Sequence, residues 1–446
     1  MKIGVIGAGW MGLVLAKRLA DQGHSVHVFE RDTQLGGLAT YYDFGSFYWD
    51  KFYHVILPGD KALLGFIKEV GLESELRWKE TFTGVYVDEK FHSVSNTKEF
   101  LLFPPLNLFQ KFRLAMTILI GSRINDWRKM EKITSEEWLI KYSGKTTYEK
   151  FWKPLLTAKL GDSYKRASAV FIWSYIKRLF EARGDSSSKK ESMGYISGGY
   201  KTALDRIEQV LTEKNVQIHK ELTIEAVQPH AEKGITLSHS GKTEHFDKVI
   251  FTGPVNVLEK VTDPSLVKIS GRTDTVEYMG VACMIIATEK PITPYYVLNI
   301  ADQTIPFTGV IGMSTLVDTK ETGGYYLTYL PKYILSTDPF LKKSDEEIKE
   351  IFYEGLFKMY PELSEGDIKK FWINRAFKVQ PLQVLDYSQI IPKTATQHSD
   401  FFVVNTSQFI QGTLNNNSVT SHVNRFMAKY ADDFKVEAKK EAIPSS

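Results

Sequence analysis

The apolar positions open the chain with a short run, Ile3 to Ile6, stopped by Gly7, which predicts a buried strand. From Met11 to Gln22 apolar residues recur at helical spacing, and Ser25 to Glu30 alternates as a second strand. Helical periodicity then dominates from Lys61 to Leu179, interrupted at Pro104 and Pro105, and the polar run 181–192 reads as a surface loop. A helix over Tyr200–Lys214 leads into strand-like runs at 216–219, 223–227, 235–239 and 249–252. Beyond Pro254 strands are predicted at 276–288, 295–299, 308–313 and 325–330, then a helix over 344–359. A strand at 401–405 and a helix over 418–430 close the pattern; the charged tail after Phe434 reads as mobile.

This order predicts an α/β protein with a discontinuous Rossmann-like domain built from residues 1–60, 195–260 and 395–434. Residues 61–194 and 261–394 form an α+β substrate domain with a mainly helical part, and 435–446 a flexible tail.

Composition narrows the partners. The 446 residues carry 56 basic and 53 acidic side chains, interleaved nearly everywhere, which gives no footprint for nucleic acid. The one cysteine, Cys283, excludes an intrachain disulfide and any multi-cysteine metal site, and it lies in an apolar strand-like run. No metal-ligand spacing is found. The opening MKIGVIGAGW imitates a signal peptide, but its glycine spacing leads into a strand and helix instead. No run of about 18 apolar residues occurs. A cytoplasmic protein is expected, with peripheral membrane contact as an alternative for residues 99–127, a segment rich in large apolar side chains with Lys111, Arg113 and Arg123 between them. The same segment also fits an internal helix.

The chemistry is written in Gly7-Ala8-Gly9-Trp10-Met11-Gly12, a GxGxxG placed between a strand and a helix. The first glycine permits the turn, the second lets a pyrophosphate approach, and the third packs helix on strand. The bare helix N-terminus offers N–H groups and a positive dipole end to phosphate. Glu30, 18 residues past Gly12, ends the second strand and can accept from a ribose diol. A second glycine pair, Gly36-Gly37, follows. An NAD site needs nothing there, whereas an extended FAD needs close backbone approach beyond its pyrophosphate.

These residues resemble the flavin-containing amine oxidoreductase superfamily, with monoamine oxidases, protoporphyrinogen oxidases and phytoene desaturases, and more distantly UDP-galactopyranose mutase. The pattern runs from the glycine fingerprint through Glu30-Arg31 to Gly36-Gly37-Leu38-Ala39-Thr40. GYISGGYKTALDRI, VQIHKELTIEAV and DKVIFTGP resemble the middle FAD segment, which implies Ile224 at the adenine. The stretches WDKFYHVILPGDKALLGFIKEVGL and FWKPLLTAKLGD look closest to the protoporphyrinogen-oxidase-like branch. Two positions depart from the family: Leu38 stands where amine oxidases usually have Arg, and Asn405-Thr406 replaces a Gly-Asp whose acid holds the ribityl chain. The resemblance further implies that Asn415, Asn416, Asn417 and Val419 face the flavin's pyrimidine edge.

The resemblance thus implies an FAD-dependent oxidoreductase acting on a small molecule, an amine or a largely apolar unsaturated compound. His54 falls near the flavin, either as a proton shuttle or as a buried ring tied to a carbonyl. Lys159 and Gln380 are further candidates for contacts there, and Trp152, Trp173, Tyr175 and Phe180 for a pocket wall. Two alternatives stand beside this reading. One is a non-redox, mutase-like flavoenzyme that uses Arg166, Arg178 and Arg183 for a diphosphate; the other is a non-catalytic flavoprotein module.

Overall fold

A computed structural model describes residues 1–184, 192–267, 276–410 and 414–435. The opening strand Lys2–Ile6 lies at the centre of a five-stranded parallel sheet, between Ser25–Phe29 and Lys248–Phe251, with Gln217–His219 and Phe401–Val403 at the edges. A strand covered on both faces reads as a continuous apolar run, which is why Ile3 and Val5 leave no polar alternation to follow. On one face pack the helices Trp10–Asp21, Gly199–Glu213 and Asn416–Lys429, through Leu13, Leu204 and Val423. On the other lies an antiparallel three-stranded sheet, Ala226–Pro229, Ile235–His239 and Lys242–Phe246, whose Leu237 and Phe246 close over Ile6, Phe29 and Val249.

The second sheet has seven strands in mixed orientation: Ile368–Pro381, Tyr278–Thr288, Tyr326–Leu335, Gly309–Gly312, Val297–Ile300, Thr83–Val87 and Lys90–Ser93, in that spatial order. Tyr278–Thr288 is buried along its whole length. Its period of two divides its side chains between two layers. Ala282, Met284 and Ile286 pack with Phe352 and Leu356 of the helix Asp345–Met359, while Val281, Cys283 and Ile285 join Trp49, Tyr296 and Tyr329 on the opposite face. That opposite face carries the functional cluster described below. Helices between Thr97 and Gly184 form a third body around Leu114, Trp138, Trp152 and Trp173.

The structure corrects the expected run of helices over 61–179. Strands Leu76–Glu80, Thr83–Val87 and Lys90–Ser93 interrupt it, the first paired with Ser192–Ile196 and the second with Val297–Ile300. The partners of the first two lie more than a hundred residues away along the chain, and the third pairs with the second across the short turn at Asp88 and Glu89, so a hairpin interrupts the helical pattern. The 14-residue strand Ile368–Pro381 was likewise not expected; Lys369, Lys370 and Lys378 break its apolar pattern, and most of the strand is only partly buried. The strand expected at 223–227 lies at Ala226–Pro229. Residues 185–191 of the expected loop, and the tail after Lys435, fall outside the described residues.

Candidate functional site

The corner after the first strand is a set of backbone approaches. Gly7 turns with φ +100°, and its N–H donates to Phe29 O at 2.8 Å. A Cβ on Gly12 would overlap the Gly7 carbonyl oxygen, so helix Trp10–Asp21 can lie on its strand only with glycine there. Gly9 is different. Its φ is −64°, and a Cβ would meet nothing nearer than Gly37 Cα at 3.9 Å. The protein's own packing therefore leaves room at Gly9, and a ligand lying against its Cα supplies the reason for glycine. Gly9 caps the helix with no side-chain hydrogen bond, so the first turn has N–H groups without an intrahelical acceptor, the kind of donor an anion takes. The Trp10 and Met11 side chains point into the core.

Gly36 and Gly37, both at positive φ, bring a second segment against the first. Gly36 N donates to Ala8 O at 2.8 Å, and Gly9 bridges Gly36 in parallel. Leu38 is half-buried, Ala39 sits in the core, and Thr40 Oγ1 donates to Gly37 O at 3.0 Å. Glu30 is buried at the strand end. Its Oε2 accepts from Ala8 N at 2.8 Å and its Oε1 from Asp32 N at 3.0 Å, which fixes the carboxylate and still leaves lone pairs for a diol. Arg31 is exposed, 3.8 Å from Asp32. Ile224 buries its side chain with Ile6 and Phe29, so only its backbone could face a ligand.

At the far end, Asn405 is buried, its Nδ2 donating across to Gly253 O at 2.9 Å and its Oδ1 accepting from Ser407 N at 3.1 Å within its own turn. Thr406 opens the short 3-10 turn that follows. Asn415 caps helix Asn416–Lys429 by accepting from Ser418 N at 2.9 Å. Asn417 Oδ1 instead caps the helix Lys61–Glu69, accepting from Ala62 N and Leu63 N. Asn416 lies within hydrogen-bonding reach of the Tyr200 phenol, which its side chain contacts. Val419 is buried beneath it. A glycine cradle and a helix N-terminus without a side-chain cap are what an adenine–flavin dinucleotide would engage, so these residues fit that group.

Tyr200 joins the two bodies. Its ring meets Trp10 at 5.4 Å and His54 at 4.8 Å, and its N–H donates to Asp50 Oδ1 at 2.8 Å. His54 Nδ1 lies 3.7 Å from Asp50 Oδ2 and is buried with no hydrogen-bond partner. Beside it Tyr53 and Tyr333 share a hydrogen bond of 2.8 Å, and Tyr329 donates to Asp50 O at 2.7 Å. Burial raises the Tyr333 hydroxyl to about 12 and the Tyr53 and Tyr329 hydroxyls well above their ordinary range. Lys159 Nζ sits 5.6 Å from the Tyr333 ring centre with no carboxylate paired to it, and desolvation lowers its pKa. Gln380 lies across the sheet, opposite Met279 next to a register shift. His54 and Lys159 are thus brought to one aromatic cluster, and Gln380 lies beyond their contacts. Sequence reading missed Asp50, Tyr53, Tyr200, Tyr329 and Tyr333, because tyrosines at strand spacing look like any core.

Other candidates are accounted for by packing. Trp152 Nε1 donates to Ser143 Oγ and Trp173 Nε1 to Ile124 O inside the helical body; Tyr175 packs at its edge. The Phe180 and Arg183 side chains fall outside the described residues. Arg166 pairs with Glu277 through both guanidinium nitrogens, and Arg178 lies 3.5 Å from Asp60. Among the described residues no group of three His, Cys, Asp or Glu is placed to hold a metal. A cleft of about 310 Å³, walled by Val87, Pro105, Lys150 and Ala301, includes none of the predicted site residues.

Against known proteins, the chain is 24% identical to zeta-carotene desaturase of Arabidopsis thaliana over 49% of its own length and 43% of that protein's, so it spans less than half of that curated relative. Among solved structures, an oxidoreductase from Methanosarcina mazei superposes with a TM-score of 0.75 at 20% identity, covering 96% of this chain and 100% of the other. Putrescine oxidase bound to putrescine superposes with a TM-score of 0.72 at 15% identity, covering 97% and 99%. These likenesses show the fold. The profile of flavin containing amine oxidoreductases matches residues 12–407, nearly the whole chain. Family membership brings FAD as the cofactor and oxidoreductase as the class of chemistry. With its glycine corner and fixed acid, the chain belongs to the flavin containing amine oxidoreductase family.

Proposed function

We propose that this chain removes a hydride from a largely apolar, unsaturated substrate, as a desaturase or oxidase. When bound, FAD supplies the hydride acceptor. The N–H groups of Trp10, Met11 and Gly12 hold its pyrophosphate, Glu30 its adenosine ribose, and Gly36-Gly37 let the chain lie close beside its extended part.

The observation that carries the substrate class is the tyrosine cluster with its uncompensated lysine. Tyr53 and Tyr333, both only partly buried, present aromatic faces that orient an apolar chain and exclude water. Among the described residues no carboxylate is paired with Lys159, so no counter-charge beside it holds a protonated amine. Desolvation favours the neutral lysine, which can take a proton at Nζ as a substrate C–H bond is broken. His54 Nδ1, unpartnered and near Asp50, can hold a proton and pass it on, with the carboxylate stabilising the imidazolium. Relatives named as carotene desaturases support the same class. A diphosphate-binding mutase is less well supported, since Arg166 and Arg178 already face carboxylates.

The test is anaerobic reduction of the purified flavoprotein by a panel of polyenes, diamines and monoamines. Bleaching of the flavin absorbance by polyenes, with amines inert, is expected. Fast bleaching by a diamine and none by polyenes would overturn the substrate class while leaving the cofactor assignment intact.

A further inference from the structure

Helix Leu108–Arg123 is inside out. Its N-terminus is fixed by a full capping box, Asn107 with Gln110, so its orientation is well defined. The face turned into the protein carries Lys111, Leu114, Thr117 and Gly121; Thr117 Oγ1 shares a hydrogen bond with Ser143 Oγ, and Gly121 lets Trp138 and Ile176 approach. The face turned outward carries Leu108, Phe109, Phe112 and Met116, at i, i+1, i+4 and i+8. With Leu102 on the preceding short helix, Leu108, Phe109 and Phe112 are 63% to 75% exposed. A soluble surface helix has the reverse arrangement. Single exposed apolar residues need no explanation, but a contiguous set on a capped helix does.

Charge around the patch selects the partner. Residues 97–153 hold eleven Lys and Arg against six Asp and Glu, a surplus of five in a chain whose total is +3, so the rest of the molecule is slightly acidic. Lys141, Lys145 and Lys150 are exposed on the elements that follow, and Lys150 Nζ donates to Pro105 O at 3.3 Å, at the foot of the patch. Arg113 spends its guanidinium on the carbonyls of Lys141 and Tyr142, tying the apolar helix to the segment that carries these lysines. Large apolar side chains with exposed lysines on the adjoining elements fit an interface of apolar and anionic layers. No described helix is long and apolar enough to cross a membrane, so contact would be with one leaflet.

We propose that the face formed by Leu102, Leu108, Phe109, Phe112 and Met116 docks the holoprotein onto an anionic phospholipid surface, with Lys141, Lys145 and Lys150 against the headgroups. This stands whatever the substrate is.

The test is flotation of the flavin-loaded protein with vesicles of phosphatidylcholine alone and of phosphatidylcholine with phosphatidylglycerol. Co-flotation is expected with the anionic vesicles, weakening as salt rises. The triple substitution Leu108→Asp, Phe109→Asp and Phe112→Asp changes only exposed positions and is expected to lower vesicle partition by about 100-fold or more, with flavin content unchanged. Lys145→Glu with Lys150→Glu is expected to lower it by about 10-fold. Absence of wild-type flotation, or equal flotation of the triple variant, would overturn the proposal. So would concentration-dependent self-association without lipid that the triple substitution abolishes, since the face would then be covered by a second copy.

Discussion

Two helices of this molecule treat apolar residues in opposite ways. Trp10–Asp21 buries nine of its 12 residues, and what it leaves open is its uncapped N-terminus. Leu108–Arg123 buries four of its 16, closes its N-terminus with a capping box, and leaves open its large apolar side chains. The first offers backbone donors to phosphate; the second offers apolar surface to a partner. In both, the proposed function lies in what the fold leaves unsatisfied, and ordinary stability lies in what it satisfies.

The sharpest break comes within the glycine corner. Gly12→Val drives a side chain into the Gly7 carbonyl and is expected to cost about 3 kcal/mol or more, with loss of flavin. Gly9→Ala meets nothing closer than ordinary contact, so the flavin-free protein should stay within about 1 kcal/mol of wild type while flavin retention falls. Thermal unfolding of stripped protein and flavin absorbance after gel filtration separate the two. Equal loss of stability in both variants would mean that Gly9 serves packing.

On the second helix the contrast runs between faces. Leu114→Ala should destabilise by about 2–5 kcal/mol, because it empties a buried site against the helical core. Phe112→Ser should stay within about 0.5 kcal/mol. Denaturant unfolding reads both, and a large cost at Phe112 would mean that its exposed face is packed in solution.

How much of this was legible follows the same division. The corner was legible because each residue acts locally: a turn, a cap and a strand-end acid lie within the first forty positions and need no distant partner. The tyrosine cluster was not, since Asp50, Tyr200, Tyr329 and Tyr333 meet only through the seven-stranded sheet and one long-range helix. Strand Thr83–Val87 lies beside Val297–Ile300, a pairing without local signature. The segment 99–127 was legible as apolar, but which face turned outward was set by Thr117, Gly121 and Trp138 together.

At the substrate end, Lys159→Met should slow flavin reduction by about 100-fold while flavin content holds, and Lys159→Arg should not restore it, because arginine stays charged. In the wild type the rate should rise with pH through a lysine pKa that burial has lowered below about 10.5. A flat pH profile with normal rates in Lys159→Met would remove this lysine from the chemistry. The smallest expected effect is on stability. Burial lowers the pKa of His27 and His219, and that of His422 to about 4. Groups with depressed folded pKa stabilise above the unfolded value of about 6.5, and that contribution is lost as pH falls toward the folded values. Melting temperature should therefore decline below about pH 6.5, and His422→Gln should lessen the decline.

The measurement closest to the centre is the FAD content of the purified protein, read by absorbance and by release on denaturation, in wild type and in Glu30→Ala. FAD bound in stoichiometric amount by wild type, and retained poorly once the Glu30 carboxylate is gone, is the predicted result. A protein that stays colourless after incubation with FAD, or that holds it equally well without that carboxylate, would contradict the assignment of the corner.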